Sequence, residues 1–229
     1  LGSVLNDAAH RFADGYQLAA DVAALAGKPC DFLPSSRDFG APPPRTPSQS
    51  PPYRLAFLGR WHPNKGVDLL IDALNLLDES AWSNIQEVRI HGGGPLERAV
   101  RQGVDALAKA GRPVQVGGYL DLAGARELFN WTDFVLIPSR IESIPVVFSD
   151  AMQARRLVIA TPVGDMSRLV KHLGCGILAE TVSADGITRA ITEAVRQSRQ
   201  IFESNLGAAS AHFEVSKTAN QFLRAVSLV

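Results

Sequence analysis

Short apolar runs alternate with longer amphipathic stretches over most of the chain beyond residue 52. Six runs predict strands, at residues 54–58, 87–91, 113–116, 133–137, 157–161 and 176–179. Helical spacing predicts helices between them, at residues 67–77, 96–110, 122–131, 146–154 and 166–172, and two more near 184–203 and 215–228. Because the runs are apolar on both faces, we expect an α/β fold, with a Rossmann-like parallel sheet and helices on both of its faces.

The first 52 residues follow other patterns. Apolar residues between Val4 and Leu25 recur at helical spacing until Gly27 and Pro29, so we expect a helix over residues 4–26. Residues 41–52 (APPPRTPSQSPP) contain six prolines. Proline fixes φ and lacks a backbone donor, so this segment is predicted to be a linker or a surface loop.

Composition narrows the class of protein. The 229 residues are 46% hydrophobic and 20% charged, which is typical of a soluble globular chain. Basic and acidic residues number 23 each, whereas nucleic-acid binders carry a basic excess, so no nucleic-acid partner is expected. No apolar stretch reaches the roughly 18 residues of a transmembrane segment. Cys30 and Cys175 lack metal or redox spacing and are expected to be free thiols in a reducing cytosol.

The first candidate motif follows the first predicted strand of the sheet. Residues 59–66 read GRWHPNKG, and they place Arg60 and Lys65 just before the next helix. Ligands of doubly wound sheets bind beyond the carboxyl ends of the strands, and helix N-termini favour anions. Two cations at this place suit a diphosphate, because each can bind a different oxygen. A solvated surface pair is the alternative.

Two further motifs follow the second and fourth predicted strands. The second motif is GGGP at residues 92–95, with Gly92 and Gly94, and it leads into a predicted helix. Such a turn suits a contact with a phosphate or a ribose. An ordinary turn between a strand and a helix is the alternative. Residues 138–150 (PSRIESIPVVFSD) carry Glu142 and Asp150 around a predicted helix start. Carboxylates accept hydrogen bonds from vicinal hydroxyls of a sugar or a ribose. Solvent-exposed acids are the alternative.

The three motifs occur in order, each at the end of a predicted strand. Together they resemble the C-terminal, donor-binding domain of the retaining GT-B glycosyltransferases of group 1, the family of sucrose synthase, glycogen-synthase-like enzymes and bacterial mannosyltransferases. That family's pattern is G-R-x4-K-G, then G-x-G-P, then P-S-x-x-E-S-x7-acid. The resemblance covers about residues 54–170. More weakly, residues 30–40 (CDFLPSSRDFG) are similar to its interdomain crossover.

The resemblance implies a role for each matching residue. Arg60 and Lys65 would hold the donor's pyrophosphate, Glu142 would bind hydroxyls of the transferred sugar, and Asp150 would bind the ribose. Further donor contacts are implied at Gly59, Gly92, Gly94, Tyr119, Leu120, Ser139, Ser143, Val146 and Val147. The reaction would be a front-face displacement with retention of configuration. The two cations would stabilise the leaving diphosphate, so no metal and no cofactor beyond the nucleotide-sugar donor are expected.

Several positions depart from the family pattern. They are Pro145 and Arg155 in place of glycine, Asp150 in place of glutamate, and Asp165 and Arg168 in place of glycine and glutamate. These departures leave other functions open. The alternatives are a catalytically inactive nucleotide-sugar-binding module, a nucleotide-sugar epimerase on the same scaffold, and a plain scaffold domain.

The resemblance also predicts the domain organisation. Residues 1–40 are expected to be a remnant of an N-terminal domain with the crossover, 41–52 the linker, 53–212 the nucleotide-sugar-binding domain and 213–229 a closing helix. An acceptor-binding domain needs more than about 100 further residues. The chain is therefore expected to be a fragment with little activity alone. Its expected partners are the missing domain and a glycan, lipid or small-molecule acceptor, in the cytoplasm or peripheral to the membrane.

Overall fold

The computed structural model describes residues 2–40 and 45–226, which form a six-stranded sheet flanked by helices and a small N-terminal unit. The elements in chain order are α1 (Gly2–Asp7), β1 (Phe12–Ala13), α2 (Tyr16–Ala26), β2 (Asp31–Phe32), β3 (Tyr53–Arg60), α3 (Val67–Leu76), α4 (Glu79–Trp82), β4 (Ile85–Gly93), α5 (Glu97–Lys109), β5 (Val114–Gly117), α6 (Leu122–Trp131), β6 (Phe134–Ile137), α7 (Val146–Gln153), β7 (Leu157–Ala160), α8 (Met166–Leu173), β8 (Gly176–Leu178), α9 (Ala184–Arg196), α10 (Glu203–His212) and α11 (Val215–Val226). Short 3₁₀ helices lie at Pro63–Lys65 and Arg199–Phe202.

The order of the strands places the site. The sheet runs β5-β4-β3-β6-β7-β8, and every neighbouring pair is parallel. From β3 the chain first proceeds outward through β4 and β5, and then returns to the other side of β3 with β6. The carboxyl ends of β3 and β6 therefore form the topological switch point, where ligands of such sheets bind.

Burial explains why these strands were visible in the sequence. All four residues of β6 and all four of β7 are buried, so each strand reads as a continuous apolar run. Tyr53 in β3 packs edge-on against Phe134 in β6, with ring centroids 5.2 Å apart. The predicted α/β fold and its parallel sheet are confirmed, with strand ends that differ from the prediction by a few residues.

The helix predicted over residues 4–26 is wrong. It is divided into α1 and α2 by β1, which pairs in parallel with β2. The side chain of Arg11 ends α1, because its guanidinium donates to the carbonyl oxygens of Leu5 and Ala8, each at 2.5 Å. Gly15 then adopts an extended conformation, with φ −148°, before α2 begins.

One other helix prediction needs correction. The helix predicted near residues 184–203 ends at Arg196, and a 3₁₀ turn separates it from α10. At that break the hydroxyl of Tyr53 donates to the carbonyl oxygen of Gln197 at 2.8 Å. The short α4 was not predicted. Within the predicted linker, residues 41–44 lie outside the described residues, and 45–52 contain neither helix nor strand.

Candidate functional site

A cavity of about 290 Å³ opens at the carboxyl ends of β3 and β6. Its wall is formed by the end of β3 with Gly59, by the loop that follows β6, and by the first residues of α7. Lys65, Glu142 and Asp14 are its charged lining residues. The cavity therefore lies at the switch point of the sheet, where two of the three sequence motifs meet.

Lys65 and Glu142 are in direct contact within this cavity. The ammonium group of Lys65 donates to Oε1 of Glu142, and the two side chains are 31% and 14% exposed. Gly66 makes this approach possible, because a Cβ at that position would lie 1.8 Å from the carbonyl oxygen of Pro138. Its φ of 67° also favours glycine. The loops of the first and third motifs therefore pack directly against each other at Gly66 and Pro138.

Arg140 joins the same two loops, a role that the sequence did not reveal. Its guanidinium donates two hydrogen bonds to the carboxylate of Asp68, both at 2.7 Å, and one to the carbonyl oxygen of Pro63 at 2.7 Å. Burial acts to raise the pKa of Asp68, but the hydrogen bonds from Arg140 hold that pKa below its ordinary value. The sequence offered one indication of this pair, since Asp68 lies in the helix after the first motif and Arg140 lies within the third motif.

Arg60 lies at the rim of the site. It is the exposed last residue of β3, directly after Gly59 in the cavity wall. Within residues 2–40 and 45–226, no hydrogen bond or ion pair of its guanidinium is observed. The structure therefore brings Lys65 and Glu142 together and places Arg60 beside them, with its charge exposed.

The remaining residues of the third motif are divided between the cavity and its surroundings. Ser139, Val146 and Val147 line the cavity. Val146 and Val147 open α7, so their N–H groups belong to the first turn, where a helix offers no carbonyl acceptor and favours anions. Ser143 faces away, with its hydroxyl directed at Gly15.

The glycines of the second motif lie outside the cavity, with a clear packing role. A Cβ on Gly92 would lie 1.9 Å from the carbonyl oxygen of Gly59, and one on Gly94 would lie 2.8 Å from that of Trp61. Both have positive φ, 151° and 142°. They let the turn after β4 pack against the end of β3. A direct contact of either glycine with donor remains a prediction.

Tyr119 and Leu120 follow β5 and also lie outside the cavity wall. Tyr119 is 69% exposed, and its hydroxyl donates to the carbonyl oxygen of Gly93 at 2.7 Å. Leu120 packs against the core. They lie on the β4 side of the switch point, and their contact with the base of the donor remains a prediction.

Asp150 lies outside the cavity wall, and its contact with the ribose remains a prediction. Its side chain is 2% exposed, does not line the cavity, and accepts hydrogen bonds from Arg37 at 3.1 and 2.6 Å. Burial raises the pKa of the Asp150 carboxyl, and the guanidinium of Arg37 opposes that rise. The short aspartate side chain is engaged by Arg37, in the segment before the linker, so a ribose hydroxyl would share or displace these hydrogen bonds.

The described part of the chain contains neither a cluster of metal ligands nor a membrane-spanning helix. In residues 2–40 and 45–226, no group of three or more His, Cys, Asp or Glu side chains is arranged to hold a metal ion. None of the helices in those ranges has both the length and the apolar content needed to cross a bilayer.

Comparison with known proteins identifies the family. The model of the family "glycosyl transferases group 1" matches residues 52–197, which is more than half of the chain. The chain belongs to this family. Among curated relatives, this group 1 glycosyltransferase chain is 33% identical to D-inositol 3-phosphate glycosyltransferase of Jonesia denitrificans, over 54% of the chain and 30% of that protein. It is 30% identical to glycogen synthase of Thermus thermophilus, over 59% of the chain and 30% of that protein.

Solved structures share the fold of this glycosyltransferase chain over nearly its whole length. HepE of Anabaena in complex with UDP-glucose superposes with a TM-score of 0.79 at 19% identity, covering 100% of this chain and 66% of that one. Sucrose-phosphate synthase of Thermosynechococcus elongatus gives a TM-score of 0.77 at 17% identity, covering 99% and 60%. The predicted family and fold are confirmed. The chain spans about a third of the length of the curated relatives it matches.

Proposed function

We propose that this chain is the nucleotide-sugar-binding half of a retaining glycosyltransferase, which transfers a sugar from a nucleotide diphosphate to an acceptor hydroxyl. Lys65 and Arg60 bind the pyrophosphate of the donor. Glu142 accepts hydrogen bonds from hydroxyls of the transferred sugar. The first turn of α7, at Val146 and Val147, donates N–H groups to phosphate or sugar oxygens.

The contact between Lys65 and Glu142 carries this proposal. The two residues are 77 positions apart in the chain, yet their side chains meet in one cavity at the switch point of the sheet. A cation suits a phosphate and a carboxylate suits sugar hydroxyls, so the pair matches the junction between the two parts of a nucleotide sugar. The HepE structure holds UDP-glucose in a similar fold.

The size of the cavity indicates which part of the donor it takes. Its volume of about 290 Å³ lies at the lower end of the roughly 300–1,000 Å³ usual for ligand pockets. It suits a sugar with its adjoining phosphate, and the nucleoside then extends along the surface towards Tyr119 and Leu120 after β5.

The proposed reaction relies on fixed charges. Negative charge develops on the diphosphate as the bond to the sugar breaks, and the cations of Lys65 and Arg60 stabilise it there. The leaving diphosphate assists the incoming hydroxyl on the same face, which retains the configuration. The proposal includes no metal ion and no cofactor beyond the donor.

The remainder of the proposed activity involves parts beyond this chain. An N-terminal domain is proposed to bind the acceptor, which is a glycan, a lipid or a small molecule, and residues 1–40 to be the remnant of that domain with the crossover to the donor half. We expect the isolated chain to bind donor weakly and to transfer little. The complete enzyme is proposed to act in the cytoplasm or at the membrane surface.

Calorimetry with UDP, GDP and ADP tests donor binding. We expect one of the three to bind, and Lys65→Ala to weaken it roughly tenfold or more through the loss of a charge-assisted contact. Lys109→Ala is the matched control, because exposed Lys109 lies in the last turn of α5, just before β5 begins and so away from the carboxyl ends of the strands, and it should change the affinity less than about twofold. Failure of all three nucleotides to bind, or equal affinities with and without Lys65, would refute the proposal.

A catalytically inactive nucleotide-sugar-binding module is the second candidate. It is favoured by the pair of Arg37 with Asp150, which occupies the second acid of the motif. This candidate has the same nucleotide affinities but no turnover. Assay of this chain joined to the proposed N-terminal domain for release of nucleoside diphosphate from its donor separates the two, because only the transferase releases it in the presence of acceptor.

A further inference from the structure

Asp14 belongs to the cavity although it lies outside residues 52–197, the part that matches the family. It follows β1 and precedes α2, in the N-terminal unit. Its carboxylate accepts a hydrogen bond from the hydroxyl of Ser35 at 3.3 Å and is partly exposed. The cavity thus contains a second acid, contributed by a part of the chain that the motifs did not identify.

Three contacts hold the segment of Asp14 against the donor-binding half. Gly15 packs so closely that a Cβ there would lie 1.9 Å from the hydroxyl oxygen of Ser143. Asp165 accepts a hydrogen bond from the N–H of Gln17 at 3.3 Å, at the first turn of α2. In addition, the guanidinium of Arg168 lies 4.2 Å from the ring centroid of Tyr16.

Two of these contacts come from positions that depart from the family pattern. A glycine in place of Asp165 offers no carboxylate for the first turn of α2, and a glutamate in place of Arg168 offers no cation for the ring of Tyr16. These two residues therefore fix the N-terminal unit. Their place in the structure accounts for departures that the sequence left without a role.

The charges of the cavity indicate what Asp14 can bind. Lys65 is already paired with Glu142, so a negative charge at Asp14 leaves the cavity lining with one excess negative charge. A carboxylate repels a nearby phosphate but accepts hydrogen bonds from neutral hydroxyls. The part of a nucleotide sugar that suits Asp14 is therefore the sugar.

We propose that Asp14 is a specificity-determining residue, whose carboxylate accepts a hydrogen bond from a hydroxyl of the transferred sugar. This inference rests on the proposed donor site. Asp14 and Glu142 then bind the sugar from two parts of the chain. The contacts made by Gly15, Asp165 and Arg168 hold Asp14 in the cavity wall.

The test compares a nucleotide with the same nucleotide bearing a sugar. Affinities are measured by calorimetry for UDP and UDP-glucose, GDP and GDP-mannose, and ADP and ADP-glucose, whichever pair binds. We expect Asp14→Ala to weaken the nucleotide sugar roughly tenfold, as for a lost hydrogen bond to a charged group. The nucleotide alone should bind to Asp14→Ala as tightly as to the unchanged chain, or slightly more tightly. Asp31→Asn, a change to an exposed acid in β2, should alter neither.

A further variant separates recognition from support of the fold. If Asp14 served only to hold the crossover through Ser35, then Ser35→Ala would reproduce the effect of Asp14→Ala, and that result would overturn the proposal. Equal losses for nucleotide and nucleotide sugar, or no loss for the nucleotide sugar, would also overturn it. If no nucleotide binds the unchanged chain, the donor site itself is refuted. If donor binding depends on Lys65 but not on Asp14, only the role of Asp14 is refuted.

Discussion

Replacing Glu142 with glutamine should change the affinities for a nucleotide and for its sugar in opposite directions. In the free chain Glu142 holds the ammonium group of Lys65, and its side chain is only 14% exposed. A bound diphosphate must compete for Lys65 and also meets the negative charge of the carboxylate. Glu142→Gln removes both obstacles but also removes the charged acceptor for the sugar hydroxyls.

The size of the effect follows from the charges. A phosphate bound by Lys65 lies roughly 5 Å from the carboxylate, and like charges at that distance repel by about 1 kcal/mol in water and about 3 kcal/mol at an effective dielectric constant of 20. Lys65 is 31% exposed, so we take the lower value. That value corresponds to roughly fivefold tighter binding of the nucleoside diphosphate. The nucleotide sugar carries the same diphosphate and gains the same relief, so a roughly tenfold loss from removal of the charged acceptor should leave its affinity about twofold weaker.

Calorimetry at low and high salt measures both effects. The tighter binding of the nucleoside diphosphate should shrink at high salt, because salt screens the repulsion that the substitution removes. Glu193→Gln, on the exposed face of α9, is the matched control and should change neither affinity. Weaker binding of the nucleoside diphosphate to Glu142→Gln, or equal changes for both ligands, would contradict these two roles of Glu142.

Three further predictions concern stability and reactivity. Arg37→Ala should lower the free energy of unfolding by about 2 kcal/mol at pH 7, because it leaves the buried carboxylate of Asp150 unpaired. In pH-dependent denaturation this loss should shrink as the pH falls through the raised pKa of Asp150, where the protonated carboxyl needs no partner, and a loss independent of pH would contradict this account. Gly15→Ala should cost about 1–3 kcal/mol in urea denaturation through its clash with Ser143, and less in a Ser143→Ala background, whereas equal costs would exclude that clash. Burial raises the pKa of Cys175 to about 12, so a thiol reagent should modify it only after unfolding, and rapid reaction in the folded chain would contradict that burial.

The sequence predicted the sheet and the main site because both depend on local patterns. β6 and β7 are buried on both faces and are therefore continuous apolar runs. The motifs with Lys65 and Glu142 follow strands that neighbour each other in the sheet, and parallel strands bring their carboxyl ends to one edge.

The parts that could not be predicted depend on contacts between distant residues. Arg37 and Asp150 are 113 positions apart, and nothing local indicates that they pair. The two-residue strand β1 exists only because β2 lies beside it, so helical spacing alone suggested one long helix. Asp14 joins the cavity through the packing of Gly15 against another loop, which no pattern in its own segment shows.

A crystal structure of the chain with its bound nucleoside diphosphate tests the central claim most directly. We predict phosphate oxygens within hydrogen-bond distance of the Lys65 ammonium group and of the first turn of α7, with Lys65 drawn away from Glu142. A nucleotide bound elsewhere on the chain, with the contact between Lys65 and Glu142 intact, would contradict the account.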